Sequence, residues 1–515
     1  MHNVPRLFAA ELDGVDAELI EVEADLNVGL HAFNIVGLAD KAVSEAKERV
    51  NSALKHCNIK PPARENRRIT INLAPADVKK AGSRFDLAIA LAYLLASNQI
   101  KAFHSQEKLF AGELSLDGSL RPITGALSTA LLAKKRGIPE LFLPAVNARE
   151  AAVVPDVSVF PVHHLKDLIE HLDALAPIPK QPVTKIVTAH PPSAISLDDI
   201  RGQEAAKRVL TIAAAGGHNV LFSGPPGTGK TMLAQALTGI LPHPTPAESI
   251  EITKIYSAAG LNTDLPYIPW RPFRSPHHSA SLVALLGGGS DPKPGEVSLA
   301  HRGVLFLDEM PEFHRDALEG LRQPLEDGRI HIARARKTLI FPARFMLVAA
   351  MNPCPCGHFE DKEVACRCTA HDIIRYQRKL SGPLLDRIDI QCEVPRIPIE
   401  ELRREKPKSP APEATVQRSI AQARALQEKR FTSFEPRIFS NSEMTSAQTE
   451  TFADLHRGAE LFLKQMLERA FLSPRGYYRI LKVSRTIADL AASPRVTEEH
   501  LAEAFHYRMR PHSTL

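Results

Sequence analysis

In the run NVLFSGPPGTGKTMLAQAL (Asn219 to Leu237), the residues Gly224, Gly229, Lys230 and Thr231 fit the pattern GxxxxGK[ST]. The run reads as an apolar strand, a glycine loop and a helix. Glycines let backbone N–H groups close around phosphate oxygens, Lys230 reaches the β and γ phosphates, and the Thr231 hydroxyl ligates Mg2+. The whole loop, Gly224, Pro225, Pro226, Gly227, Thr228 and Gly229 with Lys230 and Thr231, is therefore a nucleotide cradle. Further along, GVLFLDEM (Gly303 to Met310) closes four apolar residues on Asp308 and Glu309. A buried strand that delivers two carboxylates to its C-terminal end suits Mg2+ binding by Asp308, while Glu309 orients and deprotonates an attacking water.

Three further residues carry candidate roles. Asn352 ends the next apolar strand, where it is either a turn former or a hydrogen-bond partner of the attacking water or γ-phosphate. Arg387 in SGPLLDRIDI stands between two aspartates. It is either an ion-paired surface arginine or a finger that reaches a neighbouring subunit's nucleotide and stabilises transition-state charge. Arg475, in SPRGYYRILKVSRTIADL, opens a C-terminal helix and is a second candidate for sensing phosphate.

Two clusters lie outside this set. HIARARKTLIFPARFMLVAAMNP (His331 to Pro353) places Arg334, Arg336 and Lys337 at the tip between two β-like runs, one strand away from Asn352. Such a tip is either a solvated hairpin or a grip for the phosphates of DNA. CPCGHFEDKEVACRC holds Cys354, Cys356, Cys366 and Cys368, four of the chain's six cysteines. Two Cys-x-Cys pairs can give four thiolates to tetrahedral Zn2+, with His358 or His371 able to replace one. The alternative is a set of small loop residues without metal. The His277-His278 pair in RPFRSPHHSAS has no neighbouring ligand set at metal spacing and is not read as a metal site. Cys57 and Cys392 read as ordinary buried thiols.

These groups sit in a chain of 515 residues, 44% hydrophobic and 24% charged, large enough for two to four domains. A net charge of +5 permits a polyanionic partner without requiring one, and a 6% aromatic content disfavours base stacking on aromatic platforms. No stretch reaches the roughly eighteen apolar residues of a membrane span, and LAIALAYLLA (Leu87 to Ala96) reads as a core helix. The opening MHNVPRLFAAELDG has no charged region followed by an apolar one, so no secretory signal is expected. A cytoplasmic protein with reduced cysteines and no membrane partner follows as the expectation.

Short strands such as RRITINLAP and helical runs such as DKAVSEAKERVNSALK mark residues 1–175 as an α+β domain. A Pro-rich linker covers 176–194. Alternating strand and helix signals make 195–395 a parallel α/β core. A polar connecting segment, 396–436, leads to a helical lid at 437–515.

The order of these motifs resembles AAA+ ATPases of the magnesium-chelatase-like group. ISLDDIRGQEAAKRVL, RPFRSPHHSAS, GGGSDPKPGEVSLAHRGVLFLDEMPEF and VAAMNPCPCG together resemble the ComM/YifB family over almost the whole chain. The resemblance implies a P-loop NTPase core, ATP and Mg2+ as cofactors, and a homo-hexameric ring. It implies a DNA helicase driving branch migration on single-stranded or branched DNA, in natural transformation and homologous recombination. Within that family Arg387 corresponds to the trans-acting finger and Arg475 to the second sensor. Arg334, Arg336 and Lys337 fall on the hairpin that points into the pore.

The first domain resembles the protease domain of Lon enzymes, of ribosomal S5 domain 2-like fold. On APADVKKAGSRFDLAIALAYLL, the place of the Lon nucleophile falls on Arg84, with Ser83 one residue short. PITG puts the place of its lysine on Leu127. Without the base a serine is a weak nucleophile, so an ATP-dependent protease is disfavoured. Two other readings stay open: a chelatase-type motor that remodels a protein partner, and an ATP-gated DNA-binding scaffold without motor activity.

Overall fold

The structure is a computed structural model that describes residues 4–64, 66–192, 194–261, 265–289, 292–333, 338–361, 363–398, 412–432, 434, 438–469 and 473–508. The chain forms two compact units. The first comprises Met1–Val187, Pro246–Ile268 and Ala333–Leu339; the second comprises Thr188–Thr245, Pro269–Ile332 and Ile340–Leu515.

The first unit is built on a seven-stranded sheet. Its strands run in the order Ala32–Val36, Arg67–Ala74, Asp16–Val28, Arg6–Asp13, Lys108–Phe110, Glu140–Pro144 and Ser158–Val162. Arg6–Asp13 pairs antiparallel with Asp16–Val28, which pairs antiparallel with Arg67–Ala74; the last three strands continue the sheet in parallel. The alternating pattern of RRITINLA puts Ile69, Ile71 and Leu73 into the core. Asp86–Ala96 is the core helix expected from LAIALAYLLA, buried from Asp86 through Leu94. Asp86, its one charge, is held by the Arg49 guanidinium at 2.6 and 2.9 Å and by the Leu114 amide at 3.2 Å. A paired carboxylate is what such burial demands.

A finding that sequence order did not suggest is that Pro246–Ile268, which follows the cradle helix, belongs to this first unit. The Gly125 amide donates to the Ser257 carbonyl at 3.3 Å, the Ser257 hydroxyl donates to Glu150, and Lys254 pairs with Asp16.

The second unit holds a parallel five-stranded sheet in the order Phe273–Arg274, Val304–Leu307, Met346–Met351, Val220–Ser223, Ile390–Glu393. Val304–Leu307 and Met346–Met351 are buried along their whole length, as strands covered on both faces must be. Two hairpin strands, Arg329–Ala333 and Thr338–Pro342, precede Met346–Met351. The helices Ser446–Ala453, Arg457–Arg469, Pro474–Leu490 and Glu498–His506 make the lid, and the segment expected only to connect it holds a helix of its own, Pro412–Phe431. Pro474–Leu490 starts where it does because Ser473 caps it, accepting from the Gly476 amide at 3.1 Å, and Pro474 fits the first turn.

Candidate active site

The strand Val220–Ser223 runs into the glycine loop, and the helix Lys230–Ile240 begins at its end. Gly227 (φ 77°) and Gly229 (φ 88°) take left-handed conformations that suit glycine. Gly224 is restricted for a different reason: a Cβ there would lie 2.2 Å from the Val394 carbonyl oxygen. Lys230 is buried, and its ammonium donates to the carbonyls of Gly224 at 2.7 Å and Pro225 at 2.8 Å, and to Asn352 Oδ1 at 3.2 Å. Burial lowers its pKa to about 8, against the opposing pull of Asp308 and Glu309.

The Thr231 hydroxyl donates to Asp308 Oδ2 at 2.9 Å, so the two residues expected to share Mg2+ already meet, with hard oxygen donors of the right kind. Glu309 follows in a left-handed conformation (φ 49°), with its amide donating to Asp308 Oδ1 at 2.9 Å. That backbone is rare for a residue other than glycine, and such outliers gather at functional sites. His278 Nδ1 lies 3.7 Å from Glu309 Oε2. The paired histidines were conspicuous in the sequence, but spacing could not show their carboxylate partner.

The two arginines meet at a different place. Arg387 is buried, with Nη2 2.6 Å from Glu326 Oε1, Nε donating to the Arg322 carbonyl at 3.0 Å and Nη1 to the Pro383 carbonyl at 2.6 Å. Arg475 Nη2 lies 2.9 Å from the same Glu326 oxygen. One carboxylate thus engages both residues, and no local sequence signal pointed to it.

Immediately beyond Asn352 the four cysteine sulfurs lie within 4.8 Å of one another, a group that could hold a metal ion. His358 is not among them: its Nδ1 is 3.0 Å from Asp361 Oδ2, which also takes the Arg396 Nε–H at 2.9 Å. His371 likewise lies outside the cluster. Amides of Arg367 and His358 lower the Cys356 thiol to about 6. Cys57 is half-buried and Cys392 buried. The tip residues Arg334, Arg336 and Lys337 lie outside the described residues.

At the places that Lon nucleophile and base would occupy, Arg84 donates to the Thr124 hydroxyl at 3.2 Å and Leu127 is buried. The Ser83 hydroxyl donates to Glu113. A serine bonded to a carboxylate, with leucine where the amine would stand, has no lysine base at that position.

Comparison with known proteins agrees with this architecture. The family described as magnesium chelatase, subunit ChlI, matches residues 196–402, and its C-terminal region matches 411–508. A further match, to subunit ChlI of Mg-chelatase, covers 22–147. The chain is 45% identical to the competence protein ComM of Haemophilus influenzae over 502 residues, 96% of this chain and 95% of that one. It is 42% identical to the YifB protein of Escherichia coli over 495 residues, 96% and 95% of the two chains. The chain belongs to the ComM/YifB family. It is a magnesium-chelatase-like AAA+ ATPase, with ATP and Mg2+ as its cofactors. Similarity to Lon protease is lower, 26% over 193 residues with the enzyme of Rhizobium meliloti, covering 36% of this chain and 23% of that one. No helix among the described residues is long and apolar enough to cross a membrane.

Proposed function

We propose that the chain is a cytoplasmic, competence-related DNA motor, a homo-hexamer that hydrolyses ATP to drive branch migration. The observation that carries this reading is the bond from Lys230 in the cradle to Asn352, at the end of the strand that the basic hairpin feeds. Nucleotide state and hairpin are then one strand apart.

In this reading Lys230 neutralises the β and γ phosphates, and Thr231 and Asp308 hold Mg2+. The ion, when bound, offsets charge developing on the transferred phosphoryl group. Glu309 orients the attacking water and takes its proton, with His278 positioned to hold that carboxylate. Asn352 hydrogen-bonds the γ-phosphate or the water. Arg387 acts on the nucleotide of the neighbouring subunit, and Arg475 senses nucleotide in its own. Arg334, Arg336 and Lys337 grip DNA phosphates without reading sequence, as a translocating motor requires. The four-thiol cluster takes Zn2+.

The test is ATP-driven branch migration on a synthetic three-stranded substrate. Displacement that requires ATP, and stops in Glu309→Gln, is expected. DNA binding without displacement would leave a scaffold, and ATPase stimulated by a protein but not by DNA would leave a chelatase-type remodeller.

A further inference from the structure

Among its described residues, the chain between Asn352 and the helix Ala370–Gln377 has no helix or strand of its own, yet the nucleotide site leans on it. Its fold is a knuckle closed by sulfur. Cys354 Sγ lies 3.4 Å from Cys356 and 3.7 Å from Cys366, and Cys356 lies 3.6 Å from Cys366. Cys368 completes the group within 4.8 Å. Disulfide-bonded sulfurs would be about 2.05 Å apart, so these thiols are not oxidised pairs. Four thiolates around Zn2+ at about 2.3 Å would have S–S edges of about 3.8 Å, close to the three edges seen here. The Phe359 amide donates to Cys354 Sγ at 3.3 Å, so the backbone of the segment also turns toward the sulfur group.

The knuckle has two points of contact with the hydrolytic machinery. It starts directly after Asn352, whose side-chain oxygen accepts a hydrogen bond from the Lys230 ammonium. It also packs on the phosphate loop: a Cβ at Gly357 would lie 2.7 Å from Pro226 Cδ and 3.9 Å from Asn352 Cγ. Gly357 adopts a left-handed conformation (φ 84°) and its amide donates to the Cys354 carbonyl at 3.0 Å. The far side is tied down as well, because Asp361 binds Arg396 and Gln377 donates to the Pro353 carbonyl at 3.2 Å. The segment PCPCGHFEDKEVACRCT has few apolar side chains, so a bound ion would do much to fix its backbone.

We infer that Cys354, Cys356, Cys366 and Cys368 bind one Zn2+ ion, and that the resulting knuckle positions Asn352 and Pro226 for ATP hydrolysis. The cysteines are positioning residues and touch no substrate. The inference rests on the reading of Asn352 and the loop as the hydrolytic site.

The full-length protein, purified without chelators, is expected to carry one zinc per chain by elemental analysis. The double substitution Cys366→Ser/Cys368→Ser should lose it. ATP affinity, read with a fluorescent ATP analogue, should stay within about threefold while kcat falls about tenfold to a hundredfold, because hydrolysis needs the finer alignment. Gly357→Ala keeps all four thiols, so zinc should remain while kcat falls. That second variant separates the contact from the metal, and it answers the question if the cysteine variant does not fold. Zinc absent from the parent, or a parental kcat in either variant, would overturn the inference. Failure of the underlying site reading looks different: ATP hydrolysis would then survive Lys230→Ala while the zinc content stayed unchanged.

Discussion

Replacing Arg387 by alanine separates a structural arginine from a catalytic one. In the single chain Arg387 has a side chain 5% exposed, and all three of its guanidinium nitrogens have partners: Glu326, the Arg322 carbonyl and the Pro383 carbonyl. Removing one partner of a buried pair costs about 3–5 kcal/mol. Glu326, however, is 38% exposed and keeps Arg475 at 2.9 Å, so solvent and the second arginine lower that cost to about 1–3 kcal/mol. A domain stable by about 5–15 kcal/mol stays folded. Loss of a trans-acting arginine is a different quantity, about 10^3–10^5 in kcat. Glu326→Ala breaks that ion pair and the one to Arg475 without removing a guanidinium; it leaves buried Arg387 without its carboxylate, so it should cost at least as much stability but less than about tenfold in turnover. Steady-state ATPase and thermal melts on both variants decide between the readings. Mixing Arg387→Ala with Lys230→Ala subunits should restore activity wherever an intact arginine faces an intact cradle. Equal losses of turnover in the two variants, or no rescue at any mixing ratio, would refute the trans role and leave Arg387 as an internal brace.

Lys230→Ala should abolish nucleotide binding, whereas Glu309→Gln should bind ATP and hold an assembled ring without turnover; binding and hydrolysis assays run side by side check this. Alanine at Arg334, Arg336 and Lys337 together should spare basal ATPase and reduce the slope of log affinity for DNA against log salt by up to about three times 0.9, measured at several salt concentrations. Glu11 should make folding pH-dependent: burial raises its carboxyl from 4.5 to about 7, against Arg84 and the amides of Ala81 and Leu12. The folded state holds that proton more tightly, so its stabilisation is complete below pH 4.5 and is lost as pH rises to 7, about 3 kcal/mol in all; melts of Glu11→Gln should lack that loss.

The cradle was legible in the sequence because its chemistry is local. Gly224 through Thr231 must be contiguous for a loop to wrap a phosphate, and an apolar run ending in Asp308-Glu309 announces a buried strand with carboxylates at its tip. Asn352 needed only one more strand. Glu326 was not legible, since nothing near it in sequence shows that Arg387 and Arg475 converge on it. The helix Pro246–Ala259 joins the first unit while burying Glu248, Ser249, Thr253 and Ser257. A helix that buries polar groups leaves no clean apolar stripe to mark its partner. The cysteines fall between these cases: the paired spacing named candidate ligands, and only folding shows that the two pairs meet.

The segment from Asp386 to Asp389 ties the C-terminal helices to the strand that enters the cradle. Asp386 lies 3.3 Å from Arg508, which also donates to the Ile388 carbonyl at 2.7 Å. Asp389 is fully buried. Burial opposes its charge, yet Arg479 and His218 beside it hold the carboxyl well below the usual range. Its Oδ2 accepts the Asn219 amide at 3.0 Å, at the entrance to the cradle strand. Arg475 and Arg479 are one turn apart on the same lid helix, so they move together. On the proposed reading, a shift of Arg475 from Glu326 toward nucleotide would also pull on Asp389 through Arg479, two residues from Arg387. Glu326 would then lose one of its two arginines while the backbone carrying the other is pulled. The two phosphate-sensing candidates are thus joined through one carboxylate and one helix, and a ring built of such chains would transmit the nucleotide state of one subunit to the arginine it offers the next.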